Sequence, residues 1–142
     1  MMALTDRLCQ IATDSGIKVF RFPMPESKSI SLPVGDVAVI GMDNSRYYTE
    51  CEECVHLGHE LGHCLYGGFY NRYTPYDVIG QHEYKADVWF FQNYISDVDL
   101  RPLIKKGCST AEMAEALGVT EEYIKKALHY WTECRGVNFN IV

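Results

Sequence analysis

The sequence has no long apolar run and no cluster of basic residues, and each absence excludes a class of protein. A membrane-spanning helix needs about 20 consecutive apolar residues, and no stretch approaches that length. Residues 1–15 lack the basic and apolar segments of a secretory signal, so we expect a cytoplasmic protein with no membrane partner. The formal net charge is −6, whereas proteins that bind a phosphate backbone usually concentrate positive charge. Nucleic acid is therefore disfavoured as the main partner.

The sequence also lacks the context in which cysteines form disulfides. Six are present: Cys9, Cys51, Cys54, Cys64, Cys108 and Cys134. Without a secretory signal, and with a chain long enough to build its own core, we expect reduced thiols. Cys51 and Cys54 form a CxxC pair, but no second pair follows, and their spacing puts both on one helical face. We favour core packing for this pair and keep a redox or metal role as the alternative.

The composition is that of one globular domain. The chain has 142 residues, of which 47% are hydrophobic, and this suffices for a sizeable core. Hydrophobic patterning predicts strands at 17–22, 29–32 and 37–40, and helices at 4–13, 49–66, 80–94, 110–117 and 120–131. Thr49 and Glu52 predict a capping box at the start of the second helix. The predicted fold is α+β, with a small, mostly antiparallel sheet followed by helices.

The segment His59-Glu60-Leu61-Gly62-His63 carries the strongest chemical signal. Two histidines four residues apart project from one face of a helix, so both imidazoles can reach a single Zn²⁺. Glu60 points to the side, where its carboxylate can hydrogen-bond a metal-bound water without ligating. That is the general-base position of a metallopeptidase. The alternative is a helix with two polar histidines at its surface.

A third metal ligand is predicted on the next helix. A hydrolytic zinc site uses three protein ligands and keeps one position open for water. Glu83 lies 20 residues after His63, and Asp87 follows four residues later on the same helical face. In this arrangement Glu83 can ligate the metal while Asp87 accepts the free N–H of a ligand histidine, which fixes the imidazole tautomer. Either acid alone would be interpreted as a solvated surface charge.

These two segments, the second being Glu83-Tyr84-Lys85-Ala86-Asp87, resemble the ImmA/IrrE family of metallopeptidases. The similarity extends to the order of the predicted elements and covers nearly the whole chain. It implies one zincin-like domain over 1–142, with a peptidase core at 1–107 and a helical tail at 108–142. It also implies His59, His63 and Glu83 as ligands of one zinc ion, and Glu60 as the catalytic base. The implied substrate is a helix-turn-helix repressor, cleaved to derepress stress or mobile-element genes.

Other residues near the motif leave alternatives open. His56 shares the helical face of the two histidines one turn earlier, so it is a possible cleft residue or a fourth ligand, which would make the zinc structural. Tyr66 and Tyr70 are also possible cleft residues, and they belong to a group of four tyrosines with Tyr73 and Tyr76. A phenol in this loop could donate to an oxyanion, or the rings could cover the helix junction or contact a peptide.

The predicted tail has the spacing of a helix-turn-helix, with a tight turn at Gly118. Its charge disfavours DNA, because Glu121 and Glu122 open the helix that would face the phosphates. Packing or protein contact is the preferred interpretation of the tail. The leading hypothesis is a zinc endopeptidase. Its rivals are a non-catalytic, zinc-stabilised module that binds a repressor, and a DNA-binding regulator.

Overall fold

The structure is a computed structural model that describes residues 3–24, 27–47, 49–70 and 73–140. It is an α+β fold in which a small sheet precedes most of the helices. In chain order the elements are α1 (Leu4–Asp14), β1 (Lys18–Arg21), β2 (Ser29–Val34), β3 (Val37–Met42), a 3₁₀ turn (Asn44–Arg46), α2 (Glu50–Gly62), a π-helical turn (His63–Gly67), α3 (Tyr76–Tyr94), α4 (Asp97–Lys105), α5 (Thr110–Leu117), α6 (Glu121–His129) and a second π-helical turn (Tyr130–Cys134).

The three strands form a mixed sheet in the order β1-β3-β2. β1 runs parallel to β3, with Val19 opposite Ile40, and β2 runs antiparallel to β3, with Ser29 opposite Met42. The prediction of a mostly antiparallel sheet is thus correct for one pair and wrong for the other. Among the described residues β2 pairs only with β3, so its second edge is free. Ile40 and Met42 are fully buried and join the sheet to the helices.

Helix α2 begins where its capping residue predicts. The Thr49 side chain accepts a hydrogen bond from the Glu52 backbone N–H at 3.1 Å. Acidic residues in the first turn stabilise the helix through their attraction to the positive end of its dipole. The Glu52 carboxylate forms an ion pair with Lys28 beside β2. Leu57 and Leu61 are fully buried and belong to the same core cluster as Ile40. The helix therefore presents one apolar face to the core and one polar face to the sheet edge.

The C-terminal helices belong to the same core as the rest of the chain. Ile124 and Ala127 of α6 are fully buried within the single cluster that contains Leu57. The Trp131 indole N–H donates to the Ile95 carbonyl at 2.8 Å. Helices α5 and α6 meet at Gly118, whose φ of 74° is a left-handed conformation that glycine adopts without strain.

Two helices differ from their predictions. Helix α3 begins at Tyr76, four residues before the predicted start at residue 80. Pro75 is its N-cap residue, and Gly80 is tolerated inside the helix. Helix α4 was not predicted, although the Ser96 side chain accepts a hydrogen bond from the Asp99 N–H as a good N-cap. No helix in the described parts of the chain is both long and apolar enough to cross a membrane.

Candidate metal centre

Glycines bring α2 and α3 close together. A Cβ placed on Gly62 would lie 2.3 Å from the Ala86 carbonyl oxygen, and one placed on Gly58 would lie 2.2 Å from the Phe90 ring. A Cβ on Gly67, in the π-helical turn, would lie 2.8 Å from the His82 carbonyl oxygen. Real Cβ atoms do not approach other atoms so closely, so the helix contact depends on these glycines. The short interhelical distance places a side chain of α3 within reach of the histidines of α2.

Three side chains from the two helices converge at this contact. The His59 Nε2 and His63 Nε2 atoms lie 3.1 Å apart. Glu83 directs one carboxylate oxygen to each, at 2.7 Å from His59 Nε2 and 3.0 Å from His63 Nε2. These donor atoms form a group that could hold one metal ion. The three residues predicted as ligands are therefore together as a candidate metal-binding triad.

The second nitrogen of each imidazole is held by an acceptor. His59 Nδ1 lies 2.7 Å from Asp87 Oδ1, and His63 Nδ1 lies 2.8 Å from the Gly68 carbonyl oxygen. A carboxylate and a carbonyl only accept hydrogen bonds, so each Nδ1 carries the hydrogen. Each Nε2 faces the Glu83 carboxylate, so it carries a proton in the charged imidazole and offers a lone pair in the neutral one. Two lone pairs and a carboxylate that face one point form a site suited to a cation.

The donor set is one that several divalent metals use. Two imidazole nitrogens and one carboxylate occur as the protein ligands of catalytic zinc sites and of non-haem iron sites. Donors around a tetrahedral zinc ion at about 2.0–2.1 Å lie roughly 3.4 Å apart, so small side-chain movements would accommodate it. His63 is 5% exposed at its side chain and Glu83 is 38% exposed. The triad thus opens to solvent on the Glu83 side, where a further ligand could enter.

The neighbouring charges shift the pKa values of the triad residues. Burial alone would lower the pKa of His59, but the hydrogen bonds to Asp87 and Glu83 raise it to about 10. Burial likewise opposes the charge of Glu83, yet its bonds to His59, His63 and Tyr70 hold the pKa of this carboxyl below its usual range. The carboxylates therefore favour a positive charge between them, which a proton or a metal ion can supply.

Glu60 is buried beside the triad and is anchored by a residue that the sequence patterns did not single out. The Ser29 hydroxyl, at the start of β2, donates to Glu60 Oε2 at 2.7 Å. Glu60 is only 6% exposed, and its side chain lines the same cleft as His63 and Glu83. A lone serine in a short strand carries no pattern that predicts this contact, because α2 and β2 meet only in the folded chain.

The cleft runs along the free edge of β2. Its volume is about 230 Å³, and its lining includes Ser29, Ser31, Leu32 and Tyr70. The Asp43 N–H donates to the Lys28 carbonyl at 2.9 Å. Because such pairs alternate along an antiparallel ladder, the backbone polar groups of Ser29 and Ser31 point away from β3. The Ser29 carbonyl accepts a hydrogen bond from the Ser27 hydroxyl at 2.5 Å, so an extended segment could pair with the Ser29 N–H and with the backbone groups of Ser31.

The aromatic residues near the triad have different positions. The Tyr70 phenol donates to Glu83 Oε1 at 2.5 Å, and its ring meets His63 edge-on at 5.8 Å between centroids. Tyr66 is 58% exposed and is not among the described residues that line the cleft. His56 lies outside the triad, half-buried, with its Nδ1 3.4 Å from the Ser29 hydroxyl. Of the possible cleft residues, Tyr70 alone touches the triad among the described residues.

The paired cysteines lie at the other end of α2. The six cysteines are all free thiols, as expected from the sequence. Cys54 is buried, and its sulfur lies 2.7 Å from the Thr5 hydroxyl. Burial raises the pKa of both Cys51 and Cys54. Since the thiolate is the reactive form, this environment favours packing over redox chemistry.

The chain matches no protein-family model, no curated protein and no solved structure. The arrangement of the site is therefore the basis for its functional assignment.

Proposed function

We propose that this protein is a zinc-dependent endopeptidase. The observation that carries the proposal is the convergence of His59, His63 and Glu83 beside a buried glutamate and a free strand edge. Each element is common alone, whereas the combination is that of a hydrolytic metal site. His59 Nε2, His63 Nε2 and the Glu83 carboxylate would hold the ion. Zinc bound there would supply a Lewis acid that polarises the scissile carbonyl and lowers the pKa of water.

Glu60 is the general base in this mechanism. Its carboxylate accepts a proton from the attacking water and then delivers that proton to the amine of the leaving peptide. The Ser29 hydroxyl holds Glu60 Oε2 at 2.7 Å, so one oxygen is fixed while the other can take the proton. Burial of Glu60 excludes bulk water, which strengthens its hydrogen bonds.

The peptide is oriented by the edge of β2. The outward-facing Ser29 N–H and the backbone groups of Ser31 can pair with an extended substrate, as peptides that add a strand to a sheet do. Tyr70 lies across the cleft, next to Glu83. Burial and the nearby Glu83 raise the pKa of Tyr70, so its phenol stays protonated as a donor. We assign Tyr70 to donate a hydrogen bond to the oxyanion that forms at the carbonyl, after its hydroxyl has turned away from Glu83 Oε1.

The substrate class follows from the resemblance to ImmA/IrrE metallopeptidases, which implies a helix-turn-helix repressor. An unfolded or extended segment of such a protein suits a cleft that binds its substrate as a strand. We therefore propose that cleavage occurs in an extended linker of the repressor and not within its packed helices, whose backbone groups are already paired. Cleavage would separate DNA binding from dimerisation and relieve repression.

The decisive experiment compares the wild-type protein with Glu60→Gln. The purified, zinc-loaded proteins are incubated with a repressor encoded beside the gene, and the products are followed by mass spectrometry. The wild type is expected to cut one bond, whereas Glu60→Gln should lose at least about 100-fold in rate, as expected when a general base is removed. Glutamine keeps the size of the side chain and its acceptor oxygen for Ser29.

Zinc content serves as the control in the same samples. Both proteins should bind one zinc ion, because Glu60 is not among the proposed ligands. Equal cleavage by the two proteins would contradict the role of Glu60. A wild-type protein that binds the repressor and relieves repression without cutting it would support the non-catalytic module instead.

A further inference from the structure

The C-terminal helix α6 reaches the metal centre through one phenol. The Tyr123 hydroxyl donates to Asp87 Oδ1 at 2.9 Å. The same oxygen accepts the N–H of His59 Nδ1 at 2.7 Å. A single carboxylate oxygen therefore connects α6 to α2 across α3. Tyr123 lies 36 residues after Asp87 in the sequence, so only the folded chain brings them together.

The Tyr123 side chain is held rigidly. Its ring packs edge-on against Phe90 at 5.7 Å between centroids and against Phe91 at 6.2 Å. The Lys126 ammonium lies over the ring, 4.9 Å from its centroid. Such packing leaves the ring one orientation, and its hydroxyl is aimed at Asp87. Burial and the nearby Asp87 raise the pKa of Tyr123, so the phenol remains a donor.

Two donors on one oxygen restrict the carboxylate more than a single donor would. With His59 alone, the Asp87 carboxyl could rotate and still keep one hydrogen bond. The Tyr123 hydroxyl removes that freedom, because rotation would break its bond. A fixed Asp87 keeps the His59 ring turned so that Nε2 faces His63 and Glu83. Groups that orient a ligand histidine in this way commonly change metal affinity when they are removed.

We infer that Tyr123 is a positioning residue of the metal centre, which acts on His59 through Asp87 and so makes α6 part of the site. The inference rests on the proposed function to the extent that His59 binds a metal. Its consequence is that the helical tail contributes to metal affinity as well as to the core. The Tyr123 hydroxyl bonds Asp87 and none of the three proposed ligands in the described residues, so its effect on the metal is indirect.

The test measures zinc affinity of Tyr123→Phe by competition with a chromophoric chelator. Phenylalanine keeps the ring between Phe90 and Phe91 and removes only the hydroxyl. We expect zinc to bind about three- to tenfold more weakly, somewhat less than for groups that bond a ligand directly. The visible spectrum of the cobalt-substituted protein should also shift, because the orientation of His59 changes. Loss of packing alone would move neither quantity.

Tyr94→Phe is the matched control. Tyr94 also packs on Phe90, at 5.7 Å between centroids, and it is half-buried in the same core. Removing its hydroxyl should leave zinc affinity and the cobalt spectrum unchanged. Urea unfolding of the metal-free proteins shows whether each variant is folded.

A double-mutant cycle with Asp87→Ala completes the test. If Tyr123 acts through Asp87, then Tyr123→Phe should have little further effect on zinc affinity in the Asp87→Ala background. Equal zinc affinity in wild type and Tyr123→Phe, or independent effects of the two substitutions, would overturn the role of Tyr123. Neither result would contradict the proposed function. A folded wild-type protein that binds no zinc would overturn the proposed function and this inference with it.

Discussion

At the residue scale, the proposed catalytic groups are oriented by hydrogen bonds, two of which join residues far apart in the sequence. Ser29 holds Glu60, Gly68 holds His63, and Asp87 holds His59. The spacing of these residues in the sequence predicted that Glu83 and Asp87 would lie beside the two histidines, as they do in the structure. It could not predict Ser29, because nothing in a short strand marks which serine faces a helix. Nor could it predict Gly68, whose contribution is a backbone carbonyl.

Replacing Ser29 by alanine should lower the turnover number about tenfold, because a hydrogen bond to a charged group contributes roughly 1.5 kcal/mol. Peptide cleavage under single-turnover conditions measures the effect. Zinc affinity should be unchanged, since Ser29 does not bond the triad in the described residues. Ser29→Thr retains the hydroxyl and suits a strand, so it should restore most of the rate. Full activity in Ser29→Ala would show that Glu60 needs no such anchor.

A pH effect is predicted at Asp43, away from the metal centre. This buried carboxylate accepts hydrogen bonds from the Met24 N–H at 2.8 Å and from the Ser45 N–H and hydroxyl. The Met24 bond is the main reason that the pKa of Asp43 lies below its ordinary value. Because the pKa of Asp43 is lower in the folded than in the unfolded chain, its carboxylate stabilises the fold fully at pH values above the unfolded-state pKa of about 3.9. This stabilisation is lost as the pH falls below that pKa.

Urea unfolding at pH 6 and pH 3 measures this contribution. The wild-type protein should lose stability over this interval. Asp43→Asn should be less stable than the wild type at pH 6, and it should lose less stability between pH 6 and pH 3. An identical pH dependence in both proteins would show that Asp43 is not responsible. The comparison is best made with metal-free protein, since metal binding adds its own pH dependence.

At the scale of elements, the contact between α2 and α3 is what assembles the triad. Two ligands lie on α2 or at its C-terminal end and one lies on α3, so the interhelical distance sets the size of the site. Gly62 sits between His59 and His63 and meets the backbone of Ala86 directly. The close approach of Ala86 leaves room only for a glycine at this position.

Gly62→Ala should therefore lower both stability and zinc affinity. The added methyl group would meet backbone atoms, which cannot rotate away, so we expect a loss of about 2–3 kcal/mol in the free energy of unfolding. Thermal or urea unfolding measures the first effect, and chelator competition measures the second. Gly80→Ala is the control, because a Cβ on Gly80 in α3 meets nothing within 4 Å. That variant should be more stable by roughly 0.5–1 kcal/mol. Equal effects of the two substitutions would contradict this account.

The elements that local patterns predicted well are those with strong end signals. Thr49 begins α2, and Gly118 separates α5 from α6, as the sequence indicated. Helix α4 was missed because it is short and contains Pro102, which removes a backbone donor from the helix interior. The parallel pairing of β1 with β3 was also missed. Strand direction depends on how the chain crosses between strands, and local alternation does not record it.

At the scale of the whole molecule, one core contains residues of the sheet, of helices α2 and α3 and of the tail. Met113, Ile124 and Tyr130 belong to the same buried cluster as Leu8 and Ile40. The Gln92 side chain of α3 donates to the Tyr130 hydroxyl at 3.0 Å. The helical tail, residues 108–142, therefore shares its buried core with residues 3–107 in the described parts of the chain.

A chain truncated after residue 107 should fail to fold. The truncation would expose the apolar faces that α3 and α4 bury against the tail, and a marginally stable domain cannot absorb such a loss. Circular dichroism and the dispersion of amide NMR signals measure the outcome. A cooperative unfolding transition in the truncated chain would show that the tail is a separate unit. The full chain, treated identically, is the reference.

The central claim is that His59, His63 and Glu83 form a zinc site with Glu60 beside it, outside the ligand set. The most direct measurement is calorimetric titration of zinc into chelator-treated wild-type, Glu60→Gln and His59→Ala/His63→Ala proteins, each verified as folded. We expect one ion bound per chain for the wild type and for Glu60→Gln, and none for the double variant. A wild-type protein without a zinc site, or a double variant that keeps it, would contradict the account.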